Sequence, residues 1–159
     1  MGETRVVVLV ETGFVATELA LVLDILRIAN RLDSEPRFDV KISTSSGSEL
    51  VESLGGVMIV RATAFLQNPD APPVHVLVLG GSGIRQSLAG LQVKLRWLER
   101  VGSHLMFFSD AASEWKRLNP HDGEFTTHWE NQQLLRDMLV DLGERPPLYL
   151  RAGRVTTAA

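Results

Sequence analysis

Cysteine is absent from the 159 residues, which removes disulfide bridges, thiolate metal sites and cysteine nucleophiles together. Basic charge is also scarce. Against 19 Asp and Glu there are 16 Lys and Arg, a formal net charge of −3, so this chain offers no cationic footprint for a phosphate backbone. Any contact with DNA has to come from elsewhere. No apolar run approaches the ~20 residues that span a bilayer; the segment Val74 to Leu79 is interrupted by His75. The chain enters a strand pattern soon after Met1, with no cationic stretch leading into a cleavable apolar one, and the expected location is the cytoplasm. Glycine and proline, at 13 and 7 residues, are used at ordinary levels, which excludes collagen-like and disordered readings. What remains, with 45% hydrophobic and 22% charged residues, is one globular domain over residues 1–159.

The order of elements follows from hydrophobic pattern. Arg5 to Val10 is a β-branched run suited to a strand buried on both faces of a parallel sheet. From Thr17 to Leu32 apolar residues recur at helical spacing, with Thr17 as candidate N-cap and Asp33-Ser34-Glu35-Pro36 as stop. Phe38 to Ile42 reads as a strand, and Glu49 to Val60 as a short hairpin around Gly55-Gly56, an excursion from the main sheet. Val74 to Leu79 is a second buried strand, ending in Gly80-Gly81-Ser82-Gly83 before a helix with Leu88, Leu91, Leu95 and Leu98 on one face and Gly102 as its C′ residue. Leu105 to Phe108 is a third buried strand, passing at once into a short helix through Trp115. Phe125 to His128 is predicted as a strand, Trp129 to Leu142 as a helix, and Leu148 to Leu150 with Arg154 to Thr157 as a hairpin around Ala152-Gly153. Strands alternating with helices imply a mostly parallel sheet with helices on both faces, a fold that places ligands at the carboxyl ends of its strands.

Chemistry-bearing residues stand at those ends. Gly80-Gly81-Ser82-Gly83 offers unhindered backbone N–H groups at a helix start, able to hold an anion or a developing oxyanion; the alternative is a plain tight turn. It is neither GxGxxG nor a P-loop. Ser109 follows a strand and enters a helix, as a nucleophile elbow does, but lacks the flanking glycines of G-x-S-x-G, and helix capping is its expected role. His128 could take a proton or bind a ligand, or serve as a hydrogen-bonded structural residue beside Trp129. No second ligand stands near it at metal spacing, so no metal and no cofactor are expected. Glu18, in a first helical turn, favours the helix dipole without any chemistry.

The succession RVVVLVETGFVATELALVLDILRIANRL, VLVLGGSG, HLMFFSDAAS, DGEFTTHW and LYLRAGRVTT resembles the ThiJ/PfpI superfamily, also called class I glutamine amidotransferase-like. More closely it resembles the amino-terminal sensor domain of AraC-type transcriptional regulators. The TTHW segment and the GF-x(4)-LA helix entry are the more specific parts. The resemblance implies a three-layer α/β/α sandwich of flavodoxin-like architecture. It also implies one pocket lined by an acidic residue on the first helix, a glycine pair, an elbow cysteine and a histidine, at positions matching Glu18, Gly80 with Gly81, Ser109 and His128. The departure is at the elbow, where Ser109-Asp110-Ala111 replaces Cys-Thr-Gly or similar. A serine needs a firmly placed base, and Asp110 puts a negative charge beside any oxyanion.

The resemblance therefore implies no catalysis but a dimeric, ligand-sensing domain, its effector held by Glu18, Gly80, Gly81, Ser82, Ser109, Asp110, His128 and Trp129. The carboxylates of Glu18 and Asp110 point to a cationic effector, because an unpaired buried carboxylate is costly. Regulators of this type continue after the RVTT strand into a further helix and a helix-turn-helix pair. The chain is accordingly expected to be a fragment or a shortened product, reaching nucleic acid only through a domain it does not contain. The alternative is a hydrolase or hydratase using Ser109, His128 and Glu18 with the Gly80 and Gly81 amides.

Overall fold

The computed structural model describes residues 2–32, 37–66, 68–137 and 147–159. Its strands are β1 (Thr4–Leu9), β2 (Phe38–Thr44), β3 (Leu50–Glu52), β4 (Ile59–Arg61), β5 (Thr63–Ala64), β6 (His75–Val78), β7 (His104–Phe108), β8 (Tyr149–Ala152) and β9 (Val155–Ala158). The helices are α1 (Ala16–Leu32), α2 (Ser82–Arg100), α3 (Ser109–Leu118) and α4 (Gln132–Asp137). A seven-stranded sheet runs in the order β5-β2-β1-β6-β7-β9-β8, and β3 pairs with β4 in a separate hairpin. Every pairing in the large sheet is parallel except that of β8 with β9.

Alternation along the strands divides the core. From β1, Val8 joins Phe14, Leu19, Val22 and Leu79 beneath α1, while Leu9 turns to the other face and joins Val76, Val78, Leu105 and Phe107. That second face is covered by α2, whose Ile84, Leu88, Leu91, Leu95 and Leu98 are all buried. Their spacing is the helical stripe of an amphipathic helix, and each such side chain stabilises the fold by about 1.5–3 kcal/mol through burial. Trp115 of α3 stacks on Phe107 at 4.4 Å between ring centroids, closing the three-layer sandwich.

The sequence reading departs from the structure at particular places. Thr17 is not a cap: α1 already begins at Ala16, so Thr17 lies within the first turn. The stop at residues 33–36 lies outside the described residues. Phe125 to His128 forms no strand; its polar groups bond to distant segments outside a ladder instead, with the Thr126 N–H donating to Thr157 Oγ1 at 3.0 Å. The helix expected from Trp129 opens as a single 3-10 turn over Trp129–Asn131 before α4, and its part beyond residue 137 lies outside the described residues. The helix after Ser109 continues past Trp115 to Leu118. The excursion hairpin forms as expected, with Val51 opposite Val60, and Gly102 directly follows the α2 C-cap Val101.

Candidate functional site

The connection β1–α1–β2 leads one way from β1, and β6–α2–β7 leads the other way from β6. The carboxyl ends of β1 and β6 thus lie at a topological switch point, where diverging connections leave a crevice. Phe14 bridges Gly81 across it, and the Val15 N–H donates to the Gly80 carbonyl at 3.2 Å. This approach requires glycine. A Cβ on Gly81, whose φ is +126°, would stand 2.2 Å from the Gly13 carbonyl oxygen, and one on Gly80 would stand 1.9 Å from Ser109 Oγ.

Ser109 occupies the elbow and caps nothing. It is the first residue of α3, the N-cap position belongs to Phe108, and no side chain caps the helix. Its φ is +40°, a left-handed conformation that costs a non-glycine residue about 1–2 kcal/mol. Two contacts hold it there: Ser109 Oγ donates to Glu18 Oε1 at 2.5 Å, and Thr127 Oγ1 donates to the Ser109 carbonyl at 2.6 Å. The other Glu18 oxygen accepts the Gly80 N–H at 2.7 Å. Burial pushes the Glu18 pKa up, against the hydrogen bonds from Ser109 and Gly80 that favour its ionised form; the Asp110 charge adds to the rise and the His128 charge opposes it.

Asp110 behaves oppositely. Burial works to raise its pKa, but hydrogen bonds from Arg85 and Asn131, the Arg85 charge and the Gly81 N–H outweigh it, and the pKa lies below the ordinary value. Arg85 Nε donates to Asp110 Oδ1 at 2.9 Å and Arg85 Nη2 contacts the same oxygen. Asn131 Nδ2 donates to it at 3.0 Å, Arg85 Nη2 donates to Asn131 Oδ1 at 2.7 Å, and the Gly81 N–H donates to Asp110 Oδ2 at 3.0 Å. Two expectations are thereby corrected. The Gly80 and Gly81 amides do not stand open for an external anion, because Glu18 and Asp110 already accept from them. Nor is Asp110 an unpaired carboxylate awaiting a cation, because Arg85 balances its charge.

Of the residues named from sequence, Glu18, Gly80, Gly81, Ser109 and Asp110 form one hydrogen-bonded cluster. Ser82 opens α2 beside Gly13 and is exposed. His128 caps the turn over Trp129–Asn131: its Nδ1 accepts the Glu130 N–H at 3.4 Å and lies 3.6 Å from Glu130 Oε2. Its ring tilts against Trp129 at 5.4 Å, and Trp129 is 69% exposed. Among the described residues no hydrogen bond joins His128 to Ser109. Arg85, Thr127 and Asn131 escaped the sequence reading. Arg85 had a signal, since it lies four residues after Gly81, one helical turn into α2. Among the described residues no three His, Asp or Glu side chains converge as a metal site, and no helix is long and apolar enough to cross a membrane.

No protein-family model matches the sequence, and no curated protein matches it significantly. Solved structures do match. An AraC family transcriptional regulator from Pseudomonas putida aligns with a TM-score of 0.77 at 19% identity, over 98% of this chain and 83% of its own. Drosophila melanogaster DJ-1beta aligns with a TM-score of 0.77 at 18% identity, over 99% of this chain and 82% of its own. A ThiJ/PfpI family protein from Pseudomonas syringae aligns with a TM-score of 0.66 at 17% identity, over 99% and 63%. With no cysteine in the sequence and serine at the elbow, this chain carries no thiol that could serve cysteine-dependent catalysis. The switch-point crevice, the elbow strand-to-helix turn and these alignments together establish a ThiJ/PfpI-like superfamily fold.

Proposed function

We propose that this chain is a non-catalytic, small-molecule-sensing domain of the AraC-regulator type, acting on DNA through a domain outside these residues. The observation that carries the reading is where the Ser109 proton goes. It is donated to Glu18, and among the described residues no hydrogen bond joins Ser109 to His128, so the histidine base of a Ser-His arrangement is not in place. The cluster holds structure together and leaves recognition to its rim. Ser82, the half-exposed Arg85 guanidinium, the His128 imidazole and the exposed Trp129 ring keep surface in solvent next to it. Donors of this kind suit an effector that carries acceptor oxygens. Such an effector regulates only if it binds two arrangements of the domain unequally. A dimer supplies those arrangements, and α1 offers the surface: Leu21, Ile25, Ile28 and Leu32 form an outward apolar stripe, exposed by 43% to 85%.

Thermal-shift screening of the 159-residue chain against small carboxylates, amines and nucleosides tests this reading. At least one compound should raise the melting temperature of the wild type, with the shift lost in Arg85→Ala and His128→Ala. A panel without any such residue-dependent shift would overturn it. A second reading, a serine hydrolase, draws on the strained φ of Ser109 beside Glu18. Equal hydrolysis of 4-nitrophenyl acetate by wild type and Ser109→Ala closes that reading, whereas turnover that depends on Ser109 replaces the sensor reading with it.

A further inference from the structure

One face of β2 is apolar and the other polar. Val40 and Ile42 pack with the core beneath α1, while Asp39, Lys41 and Ser43 alternate with them on the opposite face. There the register sets Arg5 beside Asp39, Val7 beside Lys41, and Ser43 beside Thr63, so these side chains share one surface. Charge is unusual in that place, because strands inside a parallel sheet are ordinarily apolar on both faces. The helix α2 covers this side chiefly over β6 and β7. Over β1 and β2 the chain from Leu66 to Pro73 takes its place, and a cavity of about 220 Å³ is lined by both. That overhang is anchored at each end: the Phe65 N–H donates to the Thr44 carbonyl at 3.1 Å and the Val74 N–H to the Arg5 carbonyl at 2.9 Å.

The charges of this cavity are not spent on one another. Arg5 Nη1 donates to the Ala71 carbonyl at 2.7 Å, and the rest of its guanidinium has no partner among the described residues. Asp39, half-buried, and Lys41, exposed, have no hydrogen-bond or ion-pair partner among them either. Ser43 Oγ shares one hydrogen bond with Thr63 Oγ1 at 3.2 Å, which leaves each hydroxyl further capacity. Asn68 accepts the Asp70 N–H at 3.1 Å through its side-chain oxygen, so its amide N–H groups stay available.

We propose that this cavity is a second small-molecule site, separate from the Glu18–Ser109 cluster, and that it takes a hydroxylated monocarboxylate of the sugar-acid class. Its size, below the ~300–1,000 Å³ of pockets for drug-sized ligands, restricts it to a small metabolite. Two cations against one carboxylate leave a single positive charge, which one anionic group balances. A phosphate dianion would meet the Asp39 charge, and a zwitterionic amino acid would leave the positive charge unmatched. The neutral partners fit hydroxyls: Asp39 accepts, Asn68 donates, and Ser43 and Thr63 do both. Val7, Leu66 and Pro73 supply an apolar wall for the C–H side of such a ligand. Among the described residues no aromatic ring lines the cavity, so a nucleobase has no face to stack on.

Titration calorimetry of the 159-residue chain with D-gluconate tests this. Binding should saturate at one site and be about tenfold tighter or better than that of D-glucose or acetate, since each lacks half of the recognised groups. Lys41→Met should weaken D-gluconate by about tenfold with an unchanged thermal melt, because Lys41 holds no other group of the fold among the described residues. Asp39→Asn should narrow the gap between D-gluconate and D-glucose 6-phosphate by removing the opposing charge. Amide chemical shifts locate the site independently of affinity, and separate it from the crevice: those of residues 39–43 and 63–73 should move while those of Gly80, Gly81 and Ser109 stay. Several outcomes would overturn the proposal: no saturable binding, equal affinity for D-glucose or acetate, tighter binding of L-serine, an undiminished affinity in Lys41→Met, an unchanged gap in Asp39→Asn, or shifts confined to the crevice.

Discussion

At Ser109 strain and hydrogen bonding oppose each other, and substitution can separate them. Ser109→Ala removes the donor to Glu18 while keeping a Cβ at φ +40°, and should lower stability by about 1.5–3 kcal/mol, the range for a hydrogen bond to a charged group. Ser109→Gly removes the same donor but relieves the conformation. It should therefore be the more stable of the two by about 1 kcal/mol, the reverse of the usual order in a helix. Urea denaturation of both variants measures this, and an alanine variant at least as stable as the glycine variant would refute the strained-elbow account. Gly80 is coupled to the same atom. Gly80→Ala places a methyl 1.9 Å from Ser109 Oγ and should cost about 1–3 kcal/mol as overpacking. Part of that cost should be recovered when Ser109→Ala is added, since the clashing oxygen is then gone; strict additivity in the double-mutant cycle would show that the two sites do not meet.

At the scale of elements, Asp110 ties α3 to α2, to the glycine turn and to the Trp129–Asn131 turn. Its partners are unequal. Arg85 is 49% exposed against 20% for Asp110, so solvent screens the ion pair, and Arg85→Ala should cost less than about 1 kcal/mol. Asp110→Ala should cost more, about 1–3 kcal/mol, because the buried Gly81 N–H loses its acceptor. Chemical denaturation that ranked the two variants the other way round would place the stabilisation in the surface ion pair instead. The Phe125–His128 segment works similarly through side chains: Thr126 and Thr127 are both buried, and Thr127 secures the elbow carbonyl.

For the whole molecule, the stacked histidines at the amino-terminal ends of β6 and β7 predict a pH dependence. His75 and His104 are both lowered from 6.5 by burial first; the His104 charge lowers His75 further, and Arg154 and Arg151 lower His104 further. Below 6.5 the unfolded chain therefore binds more protons than the folded one. The stability they contribute is complete above that value and falls as pH drops through it toward the folded pKa values. Glu18, raised above its ordinary value of 4.5, chiefly by burial, acts in the opposite direction, so the comparison must isolate the histidines. Between about pH 7.5 and 5.5, where histidine titrates, the melting temperature of the wild type should fall further than that of the double variant His75→Gln with His104→Gln; parallel curves would rule the pair out. Association is a second property at this scale. Ile25→Glu, in the exposed stripe of α1, should shift sedimentation from dimer to monomer with the melt of the folded unit retained, and a wild-type chain that sediments as a monomer would remove the dimer from the proposed function.

The sequence by itself determined the layers and the address of the site. Buried strands announce themselves as β-branched runs, α2 as a leucine stripe, and the crevice as glycines and polar residues placed directly after strands, because period and backbone freedom are local properties. It also determined the loss of thiol chemistry, since composition alone settles that. Only the tertiary structure decided which polar groups face one another. Glu18 and Ser109 are 91 residues apart in sequence yet 2.5 Å apart in space, and the Asp110 carboxylate, which reads from sequence as an unpaired charge, meets an arginine from another helix. The strand predicted at Phe125–His128 fails for the same reason: the Thr126 N–H goes to the Thr157 hydroxyl of β9, and the Thr127 hydroxyl goes to the Ser109 carbonyl at the elbow. Local pattern fixes what each segment tends to form; which partner satisfies a buried polar group depends on packing that no single segment encodes.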